Sequence, residues 1–163
     1  MAPIRIQWLR NERLAVATDG LLHQAGAIPY SVVDGELRVL LVTSRDTGRW
    51  LIPKGNIDHG LTPSQAAAKE AYEEAGVRGR ITTSLPLGFY TYLKNLKSGK
   101  TQATTVEVYA LLVEQQLKNW PERTQRKLSW FSTRTAAGLV QEQGLARLLL
   151  RLKEITAGEV GKR

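Results

Sequence analysis

The chain has 163 residues, of which 42% are hydrophobic and 23% charged, with a formal net charge of +8. That length supports one domain with a sizeable core, and cysteine is absent, which excludes disulfides, thiolate metal sites and cysteine nucleophiles. No apolar run approaches the ~20 residues of a membrane span, and Arg5, Arg10, Glu12 and Arg13 interrupt any signal-peptide core. A cytoplasmic location with no membrane partner is the expectation. The positive charge predicts a polyanionic partner or substrate; the plain alternative is a charge that serves solubility alone. Basic runs of five or more, RNA-binding signatures and zinc-finger spacings are missing, so nucleic acid enters only as a candidate substrate. Nothing in the sequence bears on oligomeric state.

Residues 1–21 read as an extension. Ile4, Ile6 and Trp8 alternate with Arg5 and Gln7, which predicts one short strand that either pairs with the main sheet or packs over it. The body of the domain spans 22–156. Leu22 to Val33 opens it as a strand in which Gly26 and Pro29 suggest an edge or a bulge. Asp34-Gly35 is a hairpin turn, Leu37 to Val42 the return strand, Thr43 to Arg49 a polar loop and Trp50 to Ile52 a short strand. A Gly-containing loop then leads to a helix. Thr62 is its N-cap, Pro63 its first position, Gln65 completes a capping box, and Gly76 supplies the left-handed residue that ends it.

Ile81 to Tyr92 reads as extended, broken by Pro86 and Gly88, and 95–100 as a hairpin loop. Thr104 to Val113 is the clearest strand. Val106, Val108, Ala110 and Leu112 share one face; Thr105, Glu107, Tyr109 and Leu111 share the other. A polar loop around Trp120 leads to a final strand, Lys127 to Phe131. Ser132 or Thr133 caps a helix from about Thr135, and Leu145 to Ile155 forms an amphipathic helix after Gly144. Residues 157–163 are expected to fray. Mixed strands with a central helix and C-terminal helices make an α+β fold, an α/β/α sandwich.

The chemistry concentrates on the helix after Thr62. At 100° per residue, Glu70, Glu73 and Glu74 fall in one sector, and Ala68, Ala71 and Ala75 lie roughly opposite. Three like charges at that spacing repel by a few tenths of a kcal/mol per pair. A divalent cation would reverse the sign, and hard cations such as Mg²⁺ take oxygen ligands shared with substrate phosphates. The bland alternative is a solvated Glu-rich face, with Lys69 paired to Glu73 at i,i+4.

The longer pattern runs Trp50-x-x-Pro53-Lys54-Gly55, then Lys69-Glu70-Ala71-x-Glu73-Glu74-x-Gly76-Val77. It resembles the Nudix box, G-x5-E-x7-R-E-U-x-E-E-x-G-U with U apolar. Leu61 stands where the first Glu is expected and Lys69 where Arg is expected. The resemblance implies a mixed sheet between helices, with the box as a loop-helix-loop at one end. It also implies hydrolysis of a diphosphate linkage with Mg²⁺, for which Mn²⁺ can substitute. By residue match Glu70, Glu73 and Glu74 would hold metal, joined by the Gly55 carbonyl, with Glu70 or Glu73 as general base. A further acidic ligand from outside the box would be Glu107, ahead of Glu114 and Glu122. A solvent-facing strand glutamate is the equal alternative for Glu107. The changes at Leu61 and Lys69 together fit loss of a bracing pair, not of a ligand.

Outside the box, Leu40 to Arg45, Gly48-Arg49-Trp50, Glu74 to Gly79, Trp120, Arg126-Lys127 and Trp130-Phe131 resemble the diphosphoinositol polyphosphate and diadenosine polyphosphate phosphohydrolases. The substrate contacts carried over are Ser44, Arg45, Arg49, Arg126 and Lys127, and Lys54 is added by its place beside the metals. Arg45 and Arg49 have a plain alternative as solvated turn residues, and Trp50 and Trp130 as core. Leu22-His23-Gln24-Ala25 is poor in cations, which favours a dinucleoside polyphosphate over an inositol pyrophosphate. Tyr90 and Tyr92 are candidates to stack on adenine, though strand aromatics usually pack. An RNA 5′-pyrophosphohydrolase, a nucleoside-diphosphate-X hydrolase and a non-catalytic binding module of the same fold are the competing readings.

Overall fold

The computed structural model describes residues 21–160 and two short N-terminal strands, 5–8 and 14–17. Those strands, β1 (Arg5–Trp8) and β2 (Leu14–Ala17), pair antiparallel with each other in a sheet of their own. The extension therefore contains two strands where one was expected, and β1 does not join the main sheet.

The main sheet contains β3 (Leu22–Val33), β4 (Glu36–Thr43), β5 (Trp50–Leu51), β6 (Lys54–Asn56), β7 (Val77–Ile81), β8 (Gly88–Asn95), β9 (Thr101–Gln116) and β10 (Leu128–Ser132). Its path is β10-β4-β3-β9-β7, with β5 on β4, β6 on β3 and β8 on β9. The β3–β9 pair is parallel and the rest antiparallel, so the sheet is mixed. Asp34 and Gly35 both adopt positive φ, 51° and 77°, as a two-residue hairpin turn between twisted strands requires.

Gly26 and Pro29 have a different meaning from an edge or a bulge. β3 is central, between β9 on one side and β6 and then β4 on the other. It pairs with β6 at Gln24 to Gly26 and with β4 from Tyr30 onward. The Ala27 N–H points to that side, onto the Pro53 carbonyl. Amide directions alternate along a strand, so the missing N–H of Pro29 faces the gap between the two partners, where none is needed. Gly26 is packed close: a Cβ there would sit 3.1 Å from Ile52, Pro53 and Val106.

Helix α1 (Pro63–Ala75) covers one face of the sheet. The Thr62 side chain accepts the Gln65 N–H, and the Gln65 side chain accepts the Thr62 N–H. Gly76 ends the helix at φ 65° with the Trp120 ring packed on its Cα. Ala66, Ala67, Ala71 and Ala75 are buried against Ala25, Ala27, Leu40, Tyr109 and Leu111. Small residues on the helix allow the close approach that lets it lie on the sheet.

The other face is covered by α2 (Thr133–Leu139), capped by Ser132, and α3 (Gln143–Val160). Leu145, Leu148, Leu149 and Leu152 bury against Ile28, Val39, Leu41, Val106 and Val108. Each contributes about 1.5–3 kcal/mol by leaving water. Helix α3 extends past Ile155 to Val160; residues 161–163 of the expected tail lie outside the described residues. Both faces of β9 are buried, with the alternation read from sequence. Among the described residues, no helix is long and apolar enough to cross a membrane.

Candidate active site

The site forms at β6, which follows β5 in the chain and pairs with β3. The expected Gly-containing loop holds strand β6, whose three residues with a central glycine carry no strand signal in sequence. Its pleat separates two kinds of chemistry. Gly55 pairs with Ala25, which pairs with Glu107, so this row faces α1. Lys54 and Asn56 face the other way, toward Gln24 and Tyr92. A cavity of about 450 Å³ opens over both sides and is lined by Gly55, Glu70 and Glu74 as well as by Lys54 and Tyr92.

Glu70 rises from α1 onto the Gly55 backbone. A Cβ at Gly55 would collide with the Glu70 carboxylate where it now lies, so only glycine leaves that carboxylate in place. The Glu70 carboxyl is held above its ordinary range by burial, then by Glu73. Glu74 is 5% exposed. One of its oxygens lies 3.2 Å from Arg126 Nη2 and the other accepts the Lys54 N–H at 3.4 Å. Burial pushes its pKa to about 8; Arg126 opposes this, and Glu70 and Glu122 add to it. Arg126 is only 3.2 Å from Glu122 as well, so its charge is shared. Glu73 points outward, 2.9 Å from Lys69 Nζ, and Lys69 also reaches Asp58 at 3.0 Å. These hydrogen bonds hold the Lys69 ammonium above its usual pKa, the one to Glu73 most. Asp58 thus braces the loop to the helix, while Leu61 packs against the apolar α1 layer.

These residues fit a hard divalent cation. The donors are carboxylates and a backbone carbonyl, the Glu70 carboxylate lies directly on Gly55, and burial first, then neighbouring carboxylates, raise the pKa of Glu70 and Glu74. Among the described residues no three acidic or imidazole side chains close on one point.

The other sequence-derived residues divide. Ser44, Arg45, Arg49, Lys54 and Arg126 line the cavity. Lys127 does not; it is held through its backbone, donating to Thr43 Oγ1 and accepting from the Thr43 N–H. Ser44 Oγ accepts the N–H groups of Asp46 and Thr47 and so shapes the loop. Glu107 is 3% exposed. It contacts the Tyr109 hydroxyl at 3.1 Å and His23 Nε2 at 3.5 Å. It faces α1 in the Gly55 row but does not line the cavity, and it is not a solvent-facing strand glutamate. Glu114 is exposed.

Sequence reasoning ranked Glu122 low, yet it lines the cavity. Its N–H donates to the Glu73 carbonyl, and its carboxylate lies 3.2 Å from Arg126 and 3.4 Å from Arg45. The available signal was the Arg126 spacing at i,i+4. Lys94, Gln24 and Asn56 were also missed as lining residues. Tyr90 is 4% exposed in the α3-side core and cannot stack on a ligand. Trp50 packs edge-on to Phe131 at 5.1 Å, which is core behaviour.

Lys54 donates to the Tyr92 hydroxyl at 3.0 Å, Tyr92 donates to Gln24 at 2.8 Å, and Gln24 donates to Asn56 at 3.1 Å. Burial lowers the Lys54 pKa to about 8, Arg49 and Lys94 add to that, and Glu74 and Glu142 oppose it. Burial raises the Tyr92 hydroxyl to about 12, so it stays neutral.

The chain is similar to Nudix hydrolase 12, mitochondrial, of Arabidopsis thaliana, with 30% identity over 148 residues covering 77% of this chain and 69% of that protein. It is 32% identical over 109 residues to diphosphoinositol polyphosphate phosphohydrolase 3-beta of Bos taurus, covering 65% of this chain and 62% of that protein. Its fold is similar to the crystal structure of C. elegans Ap4A hydrolase, with a TM-score of 0.61, 21% identity, and coverage of 83% of this chain and 98% of that one. Residues 22–151 match the NUDIX domain family. That match spans well over half of the sequence, and the chain belongs to the Nudix family of hydrolases, which act on phosphoric anhydrides.

Proposed function

We propose that the chain is a Mg²⁺-dependent pyrophosphohydrolase that cuts a diphosphate linkage inside a phosphate-rich small molecule, with diadenosine polyphosphates preferred over diphosphoinositol polyphosphates. The observation that carries this is the convergence of Glu70, Glu74 and the Gly55 backbone on the floor of a cavity walled by Arg45, Arg49, Lys54 and Arg126. Glu70, Glu73, Glu74 and the Gly55 carbonyl would hold the cation, with Mn²⁺ able to substitute. When bound, the cation neutralises phosphate charge and lowers the pKa of water.

The chain's own residues do the rest. Arg45, Arg49 and Lys54 orient the phosphates by charge-assisted hydrogen bonds. Glu70 is better placed than Glu73 to take a proton from the attacking water: it faces the cavity, and burial, then Glu73, raise its pKa and so its basicity. Glu73 is engaged by Lys69 on the outer side. A phosphate-release screen with Mg²⁺ or Mn²⁺ tests the reading across diadenosine polyphosphates, inositol pyrophosphates, nucleoside triphosphates, ADP-ribose and triphosphorylated RNA. Fastest turnover on a diadenosine polyphosphate is expected. Release of pyrophosphate from RNA alone, with steep salt dependence, would replace it by the RNA reading.

A further inference from the structure

Among the described residues, the three arginines of the cavity stand beside carboxylates, and their pairs are built differently. Arg45 meets Glu122 at 3.4 Å with more than half of its side chain exposed, and Arg126 divides its charge between Glu74 and Glu122. Arg49 has a partner to itself, Glu142, which comes from 93 positions further along the chain. That pair is partly buried, with 24% of the Arg49 side chain and 11% of the Glu142 side chain exposed. Arg49 lines the cavity and Glu142 does not, so the carboxylate backs the guanidinium from behind the wall.

We propose that Glu142 is a positioning residue: it fixes the Arg49 guanidinium at the cavity wall, so that one phosphate contact is set before the substrate arrives. This rests on the pyrophosphohydrolase reading, in which Arg49 meets phosphate, and adds to it a residue from the start of the C-terminal helix.

Three observations support it. The first is where the Glu142 carboxylate goes. Glu142 immediately precedes α3 and its carbonyl accepts the Ala146 N–H, which makes it the N-cap position. At that position of α1 and α2, the side chains of Thr62 and Ser132 accept from their own first turn. Glu142 gives Oε1 to Arg49 instead, and its Oε2 is buried without a hydrogen bond. A carboxylate held this way is unfavourable unless a cation stands beside it.

The second is how the helix end is seated. A Cβ at Gly144 would lie 2.8 Å from the Tyr90 Cβ, so the start of α3 lies hard against β8. Glu142 thereby reaches the tyrosine wall: burial first, then the Glu142 charge, raise the Tyr90 and Tyr92 hydroxyls. The third is the loop that carries Arg49. Residues 45–48 are exposed, and Gly48 turns the chain at φ 69° just before it. A long side chain on such a loop loses rotamer freedom when a ligand arrives, and a fixed partner removes that loss in advance. Arginine presents five N–H donors in a rigid fork; Glu142 engages Nη1, and the rest of the fork keeps donors for phosphate oxygens.

The test separates position from charge. By its field alone a carboxylate beside a polyanion site opposes binding, so removing it should tighten binding; positioning predicts the opposite sign. The measurement is calorimetric titration of the full chain with inorganic tripolyphosphate, without added metal. Glu142→Ala should weaken binding about fivefold, the effect of releasing one long side chain. Glu142→Asp keeps the charge and shortens the reach, and should weaken binding about threefold; it also carries the test should Glu142→Ala not fold. In an Arg49→Ala background either change should shift affinity by less than about twofold. Tighter binding, unchanged affinity, or the same loss without Arg49 overturns the proposal. In turnover, the KM for a diadenosine polyphosphate should rise about fivefold for Glu142→Ala with kcat within about twofold, as loss of uniform binding requires; a fall in kcat at level KM counts against it. An inactive chain whose tripolyphosphate binding still couples Glu142 to Arg49 would sink the hydrolase reading and leave the pair standing.

Discussion

Glu70, Glu73 and Glu74 are adjacent in sequence but sit in three different environments. Glu70 lies half-buried on Gly55, Glu74 is buried with Arg126, and Glu73 is outside with Lys69. Glu70→Gln keeps the shape and removes the charge. Its kcat should fall about 10²–10⁴-fold, measured by phosphate release, while its unfolding midpoint holds or rises. Full retained activity would remove Glu70 from the mechanism. Gly55→Ala acts on the same carboxylate through space. The added methyl meets Glu70, and displacing a catalytic group by about 1 Å costs roughly 10²-fold in rate. We expect that loss together with a weaker Mg²⁺ activation midpoint, and a far smaller loss from a Ser44→Ala change at the loop. The glutamate positions were legible because helical spacing is regular. Their different surroundings were not, since Arg126 is 52 positions away from Glu74 in the chain and meets it only through the loop after β9.

At the level of elements, α1 is placed by devices that are local in sequence. Removing the Thr62 cap with Thr62→Ala should cost about 1 kcal/mol, a fall of about 2–4 °C in Tm, read by thermal melt. Activity at 25 °C should remain, because the sheet-facing alanines still seat the helix. A Tm loss above about 8 °C would mean that the box loop depends on the cap more than its hydrogen bonds indicate. The caps of α1 and α2, the Asp34-Gly35 turn and the alternation in β9 depend on near neighbours, so they could be read directly. Strand β6 and the pairing of β1 with β2 could not. Three residues and four residues are too short for a period, and their partners supply the pattern. Pro29 shows the limit well: it sits in a central strand because β3 changes partner beside it.

For the whole molecule, charge and burial give a pH signature. Glu74 is raised from 4.5 to about 8, so between those values the folded chain keeps a proton that the unfolded chain has released. Stability without metal should fall as pH rises through that window. Lys54 is lowered from 10.5 to about 8, so above pH 8 the unfolded chain holds the extra proton and stability recovers. Thermal melts in chelator from pH 5 to 10 should show a minimum near pH 8, and Glu74→Gln should flatten the acidic limb. A curve that rises steadily from pH 5 to 8 would contradict the burial of Glu74. Net charge of +8 also predicts a KM for polyphosphate that rises with salt, because screening shortens the reach of an open cationic wall.

From Thr62 to Gly76 the chain by itself determined a helix, its two ends and a face of three carboxylates, because those signals act within one or two turns. The resemblance of the box named the reaction class on the same residues. Only the tertiary structure decided what each cation of the cavity pairs with. Arg45, Arg49 and Arg126 looked decisive in sequence, but folding brings Arg49 to Glu142, Arg126 to Glu74, and both Arg45 and Arg126 to Glu122. Lys54 and Lys94, 40 positions apart, are left unpaired on one wall of the cavity. The cause is electrostatic: whether a charge is available depends on what stands within about 4 Å of it, and in this fold those neighbours come from elsewhere in the chain.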